Sequence, residues 1–148
     1  MVQVNEWCWE VADAADELER LRTRKLRAGM APADCDRVYA ELKALMRKAE
    51  HGRIRFVSTL ARQRSAPDHD ADVVGAAQCA LELRPSGASA LRRPTYVIRL
   101  YYCEPVILPD GLLALHVGSK RNDASGKDEQ NESIRIAEDR ADRYAESA

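Results

Sequence analysis

The sequence predicts an α+β protein: an N-terminal helical hairpin packed on a small antiparallel sheet, with a further helix at the C-terminal end. Three observations carry that expectation. Apolar residues recur at three- and four-residue steps twice before Gly52, short apolar runs bounded by turn residues follow, and a last helical period closes the chain. One sheet with helices laid against it is the natural way to bury such faces.

Trp7, Val11, Ala14, Leu18 and Leu21 share one face of a first helix, which leaves Glu17, Glu19, Arg20, Arg22 and Arg24 mostly on the wet side. The pattern fades at Gly29, and Pro32 prevents smooth continuation. A second helix fits Val38, Leu42, Leu45, Met46 and Ala49, with Asp34 near its start and Gly52 at its stop. The hairpin thus covers about residues 7–52 and turns near Arg27–Ala33. Arg53-Ile-Arg-Phe-Val57 alternates charged and apolar residues, a weak strand, and Gln63–Asp72, with Pro67 and three aspartates, reads as a loop. Strand candidates follow at Ala77–Arg84, Tyr96–Cys103 and Leu112–Val117. Pro85-Ser-Gly87, Pro105 and Pro109-Asp-Gly111 bound them, so the sheet region, about 53–118, is an antiparallel meander. Lys120–Lys127 is loop-like, and Ser125 three residues before Asp128 resembles a capping box. The closing helix, about 128–146, puts Ile134, Ala137, Ala141 and Tyr144 on one face. There is no internal repeat, and 148 residues suit one domain.

Composition narrows the function classes. With 45% apolar and 32% charged residues the chain is ordinary for a globular protein. Its longest apolar run, around Leu112–Val117, is far too short to span a bilayer, and no early stretch has the pattern of a secretory signal. The expected compartment is the cytoplasm, with no membrane partner. Cys8, Cys35, Cys79 and Cys103 form no CxxC pair, and His51, His69 and His116 complete no zinc-like spacing with them. Reduced, mostly buried thiols are expected, and no metal. A net charge of −1 argues against coating nucleic acid by bulk electrostatics. The charge is uneven: +1 over residues 1–60, +2 over 61–122 and −4 over 123–148. Any anion-binding face therefore belongs to the middle segment, with an acidic helix behind it.

Three segments and the last helix carry a resemblance. Leu81-Glu-Leu-Arg-Pro-Ser-Gly87, Tyr96-Val-Ile-Arg-Leu-Tyr-Tyr102 and Leu112-Leu-Ala-Leu-His-Val-Gly-Ser-Lys120 occur in order, followed by Ala137, Arg140 and Tyr144. Together they resemble the RelE/HigB superfamily of toxins, most closely its phage-derived HigB-like branch, over about residues 38–146. The resemblance implies a RelE-like fold, which usually opens with a β-strand before its helices; only Val2–Trp9 can supply one. The stretch 57–78 and the hairpin Pro85–Pro94 are longer than the family pattern.

The resemblance also implies a reaction: endonucleolytic cleavage of mRNA in the ribosomal A site. The ribose 2′-hydroxyl attacks the neighbouring phosphate, so neither metal nor cofactor is needed. Fixed cations must stabilise the developing charge, and a donor must protonate the leaving 5′-oxygen. Arg99 stands where the family places a phosphate-binding arginine, and its forked guanidinium suits that task; otherwise it is an ordinary solvent-facing strand residue. Arg84 closes its strand as a second candidate, or pairs with Glu82 or Glu104. Lys120 and Arg121 follow the last strand, where the family carries a basic residue; the plain alternative is a solvated turn.

His116 is the histidine placed in a strand, and strict alternation sets it with Leu112 and Ala114, opposite Leu115 and Val117. It is either a satisfied structural histidine or a general acid–base. Tyr101 and Tyr102 point to opposite faces, so at most one can stack on an RNA base, and Tyr144 is a core anchor or a stacking ring. Ala80 and Glu82 occupy the places of two family lysines; a carboxylate there can take a proton but cannot clamp phosphate.

Two other readings stand beside the nuclease: a ParE-type toxin that binds DNA gyrase, and a catalytically silent binding module on the same scaffold. The implied partners are mRNA in the ribosomal A site and a cognate antitoxin with a helix-turn-helix domain. Trp7 and Trp9 are candidate contacts for the antitoxin, Trp9 the better because it lies off the main apolar face.

Overall fold

The structure is a computed structural model, and it describes residues 4–54, 70–74, 81–83, 96–105 and 107–147. The order is β1 (Glu6–Cys8), α1 (Ala12–Arg22), α2 (Pro32–Glu50), β2 (Ala71–Val73), β3 (Leu81–Leu83), β4 (Tyr96–Cys103), β5 (Gly111–Arg121) and α3 (Gly126–Ser147). The fold is α+β, with two N-terminal helices and a C-terminal helix on a small sheet of order β1-β5-β4-β3-β2. None of the helices is long and apolar enough to cross a membrane, among the described residues.

The sheet is mixed, not antiparallel throughout. β3, β4 and β5 form the expected meander, β2 adds an antiparallel strand beside β3, and β1 joins parallel to β5 with Trp7 opposite Leu112. Trp7 therefore belongs to a strand rather than to the first helix. Its indole Nε1 donates to Met46 O at 2.9 Å, and its ring meets Tyr102 edge-on at 5.1 Å. Trp9 is half-buried, 6.3 Å from Trp7, and packs against the same core.

α1 is shorter than its periodicity suggests. It ends at Arg22, well before Gly29, because the Thr23 hydroxyl donates to Glu19 O at 2.9 Å and Arg24 turns to a φ of 65°. Pro32 opens α2, where its missing N–H costs nothing, and Gly52 at φ 66° follows its end. Asp72, read as loop, lies in β2 opposite Glu82; three residues are too few to show a period. Just before it, Asp70 is buried and accepts from Lys48 Nζ at 2.9 Å, which ties β2 to α2. Of the weak strand at 53–57, Arg53 and Ile54 are not in a strand and the rest lies outside the described residues. The same holds for the ends of Ala77–Arg84 beyond β3 and for Cys79.

The sheet separates two cores. On one side α1 and α2 lay Leu21, Val38, Leu42 and Met46 against Ile98, Leu100, Tyr102, Leu112 and Val117. On the other, α3 sets Ala137 over Tyr101, Cys103, Leu113 and Leu115. Cys35 is buried with α2 and Cys103 under α3; with half-buried Cys8 they form no disulfide among the described residues.

Candidate functional site on the helix-covered face of β4 and β5

β4 and β5 decide where the nominated residues go. Val97, Arg99 and Tyr101 alternate on β4 and so share a face, and across from them stand Lys120, Gly118 and His116. The register thus gathers Arg99, Tyr101, His116 and Lys120 on one side of the sheet, the side under α3. Backbone pairing adds Glu82 to the row of Tyr101 and His116.

His116 reaches that side through a β-bulge. Tyr101 pairs with His116 but Tyr102 pairs with Ala114, so Leu115 is an extra residue and the alternation slips. Strict alternation therefore misplaces His116: Leu112, Ala114 and Val117 face α1 and α2, while the imidazole stacks on Tyr101 at 5.8 Å.

The imidazole is the centre of a buried polar group. Its Nδ1 lies 2.9 Å from Glu17 Oε2 and its Nε2 lies 3.3 Å from Ser133 Oγ. Arg140 Nη1 is 3.3 Å from Nδ1, but it already donates to Glu17 Oε1 at 2.7 Å and to Leu115 O at 2.9 Å. Nδ1–H donating to Glu17 is therefore the arrangement this geometry favours. Burial pushes the Glu17 carboxyl up, but hydrogen bonds from His116 and Arg140, together with their charges, outweigh it and hold the pKa below the usual value. Glu17, read as wet, is only 16% exposed at its side chain, and Arg140 only 12%.

This group also closes an open strand edge. β1 is short, and among the described residues no strand pairs with this edge of β5 beyond Leu113. Past that point Val117 N–H donates to Glu17 Oε1 at 3.2 Å, Leu115 O accepts from Arg140, and Ser119 O accepts from Arg27 Nη1 at 3.4 Å. Side chains from two helices and the α1–α2 connection thus stand in for a strand, which removes a template for edge-to-edge association.

The far end of the face is cationic and already engaged. Lys120 Nζ donates to Gln130 Oε1 at 2.9 Å, and Arg27 forms a two-toothed ion pair with Glu129 while its guanidinium lies 4.2 Å from the Tyr96 ring centre. Hydrogen bonding and charge from Arg27 hold the Glu129 carboxyl below its usual pKa despite some burial. Lys120 and Arg121 are the last residues of β5 rather than a loop, and Arg121 is exposed.

The other nominated residues are not in this cluster. Tyr102 lies in the opposite core, 1% exposed, where burial pushes its phenol pKa up; Tyr101 is 2% exposed, so both rings are covered. Tyr144 lines a pocket of about 190 Å³ with Glu10, Asp13, Arg140 and Arg143, at the meeting of α1 and α3. Arg84 lies outside the described residues. Glu17, Ser133, Arg27 and Glu129 were missed by sequence reading, since each looks like one more polar residue on a helix or turn. Arg140 alone carried a signal, as the middle residue of the Ala137, Arg140, Tyr144 pattern. No family model, curated protein or solved structure matches the chain.

Proposed function

We propose that the chain is a RelE/HigB-type toxin of the HigB-like branch. It acts in the cytoplasm as a metal-independent endoribonuclease on mRNA in the ribosomal A site, and an antitoxin with a helix-turn-helix domain restrains it. The observation that supports this best is the gathering of Arg99, Tyr101, His116 and Lys120 on one sheet face, with Glu82 in the same cross-strand row. A strand ahead of two helices, at Glu6–Cys8, also agrees with the family's usual opening.

In the proposed reaction the 2′-oxygen bonds to the adjacent phosphorus, the bond to the 5′-oxygen breaks, and a 2′,3′-cyclic phosphate and a 5′-hydroxyl result. Arg99 and Lys120 would stabilise the dianionic transition state. His116 or Glu82 would move the protons, and a tyrosine ring would hold a base by stacking.

The test is induced expression, alone and with the neighbouring gene, with cut sites in mRNA mapped in the arrested cells. Arrest with codon-phased cuts, lost in Arg99→Ala and Arg99→Lys variants that keep their circular dichroism, supports the nuclease. Because Arg99 is buried, the lysine variant guards against simple misfolding. Arrest without cuts favours a ParE-type gyrase-binding toxin. The covering of the face by α3 favours one further reading, a catalytically silent binding module, and absence of any arrest would select it.

A further inference from the structure

The two sides of the sheet are held very differently. Against α1 and α2 the sheet buries a long series of leucine, isoleucine and valine side chains. Against α3 the only apolar side chain wholly buried from the helix, among the described residues, is Ala137; the helix's other buried residues are Gly126 and Ser133. Ile134, Ala141 and Tyr144 are half-buried. Beside this small apolar cluster, polar contacts fasten α3: Arg140 on Glu17 and Leu115 O, Ser133 on His116, Gln130 on Lys120 and Glu129 on Arg27.

We propose that α3 is a lid, which swings as a unit from the β4–β5 face about the Asp123–Gly126 turn, and that the closed form is the self-inhibited state of the site. The inhibitory meaning rests on the RNA-cutting reading; the motion does not. A helix that contributes one wholly buried apolar side chain of its own is the least firmly held element here, and such an element opens locally before the molecule unfolds. The turn is a fixed pivot: Gly126 packs so closely that a Cβ there would lie 1.8 Å from Arg121 O, and the Gly126 N–H donates to Asp123 O. Closed, α3 packs on His116 and Tyr101, and Arg99 beside them is buried, so no phosphate can reach this group.

The helix also occupies its own site by charge. The segment 123–148 carries −4, and Glu129 sits on Arg27 where an anion would sit. A single-stranded RNA backbone competes for Arg27 and Lys120, and by linkage it favours the open form. The principal latch is Glu17–Arg140, near the middle of the swinging helix.

Two native cysteines make the test direct. Cys103 lies under α3 and Cys35 lies in the α2 core, 2% and 3% exposed respectively. In the full chain with Cys8→Ser and Cys79→Ser, a thiol reagent should label Cys103 at least about tenfold faster than Cys35 in native buffer. Arg140→Gln should speed Cys103 labelling by roughly another tenfold and leave Cys35 unchanged. Ala137→Cys in a Cys103→Ser background is a second probe, on the lid itself, and should show the same response to Arg140→Gln.

Equal rates for Cys103 and Cys35, rising together with denaturant, would mean that α3 leaves only on global unfolding and would overturn the proposal. A fluorescent single-stranded RNA oligonucleotide separates the two ideas. Tighter binding to Arg140→Gln joins lid and site. Fast Cys103 labelling with no RNA binding by either protein keeps the lid and sinks the RNA reading.

Discussion

Replacing Glu17 by alanine should destabilise the fold by about 2–4 kcal/mol. Truncation leaves the Val117 N–H without its acceptor on the open edge of β5 and strands the Arg140 guanidinium, 12% exposed, beside His116. Removing one member of a buried ion pair costs ~3–5 kcal/mol, and the residual solvent access here lowers that. Glu17→Gln keeps an acceptor and loses only the charge, so about 1–2 kcal/mol is expected. Urea unfolding followed by circular dichroism measures both, and a cycle with Arg140→Ala should give a coupling of about 1–3 kcal/mol. In thermal scans each kcal/mol should lower Tm by ~2–4 °C. If Glu17→Ala changed stability by less than about 0.5 kcal/mol, or the cycle showed no coupling, side-chain closure of the β5 edge would be wrong.

The remaining predictions use the same protein and the same unfolding assay. The folded Glu17 pKa lies below the ordinary value of 4.5. Its contribution is therefore complete above that unfolded value and is lost as pH falls through the lower folded one. The acid limb of the stability curve below about pH 4.5 should flatten in Glu17→Gln, and an unchanged limb would assign it to other carboxylates. Gly118→Ala places a Cβ 2.7 Å from both His116 Nε2 and Ser133 Oγ and should cost about 1–3 kcal/mol. Trp7→Phe keeps the ring contact with Tyr102 but removes the indole donor to Met46 O, which retains its helical N–H partner, for about 0.5–1.5 kcal/mol. A neutral result there would show that the helical bond alone satisfies the carbonyl.

Elements long enough to repeat their period were legible. α2 needed only Val38, Leu42, Leu45 and Met46 with Pro32 ahead of them, and β4 runs from Tyr96 to Cys103 as its turn residues bounded it. β1 was legible only as the stretch Val2–Trp9 that could supply an opening strand, because Trp7 also fits the period of the helix that follows, and only pairing with β5 decides between them. The end of β5 was not legible: Gly118 to Arg121 has no apolar alternation, and the strand continues because β4 supplies partners as far as Tyr96.

For the candidate site the sequence by itself determined the chemical types available: a cationic middle segment, a histidine between apolar residues, paired tyrosines and an acidic last helix. Tertiary structure decided which of them meet. The bulge at Tyr101/Tyr102 turned His116 toward Arg99 and Tyr101, and counting by twos cannot anticipate an added residue. Glu17, Ser133 and Arg140 converge on that histidine from two helices separated by most of the chain. Periodicity records which face of an element is apolar, but nothing in it states which polar side chains from distant elements will share one buried space.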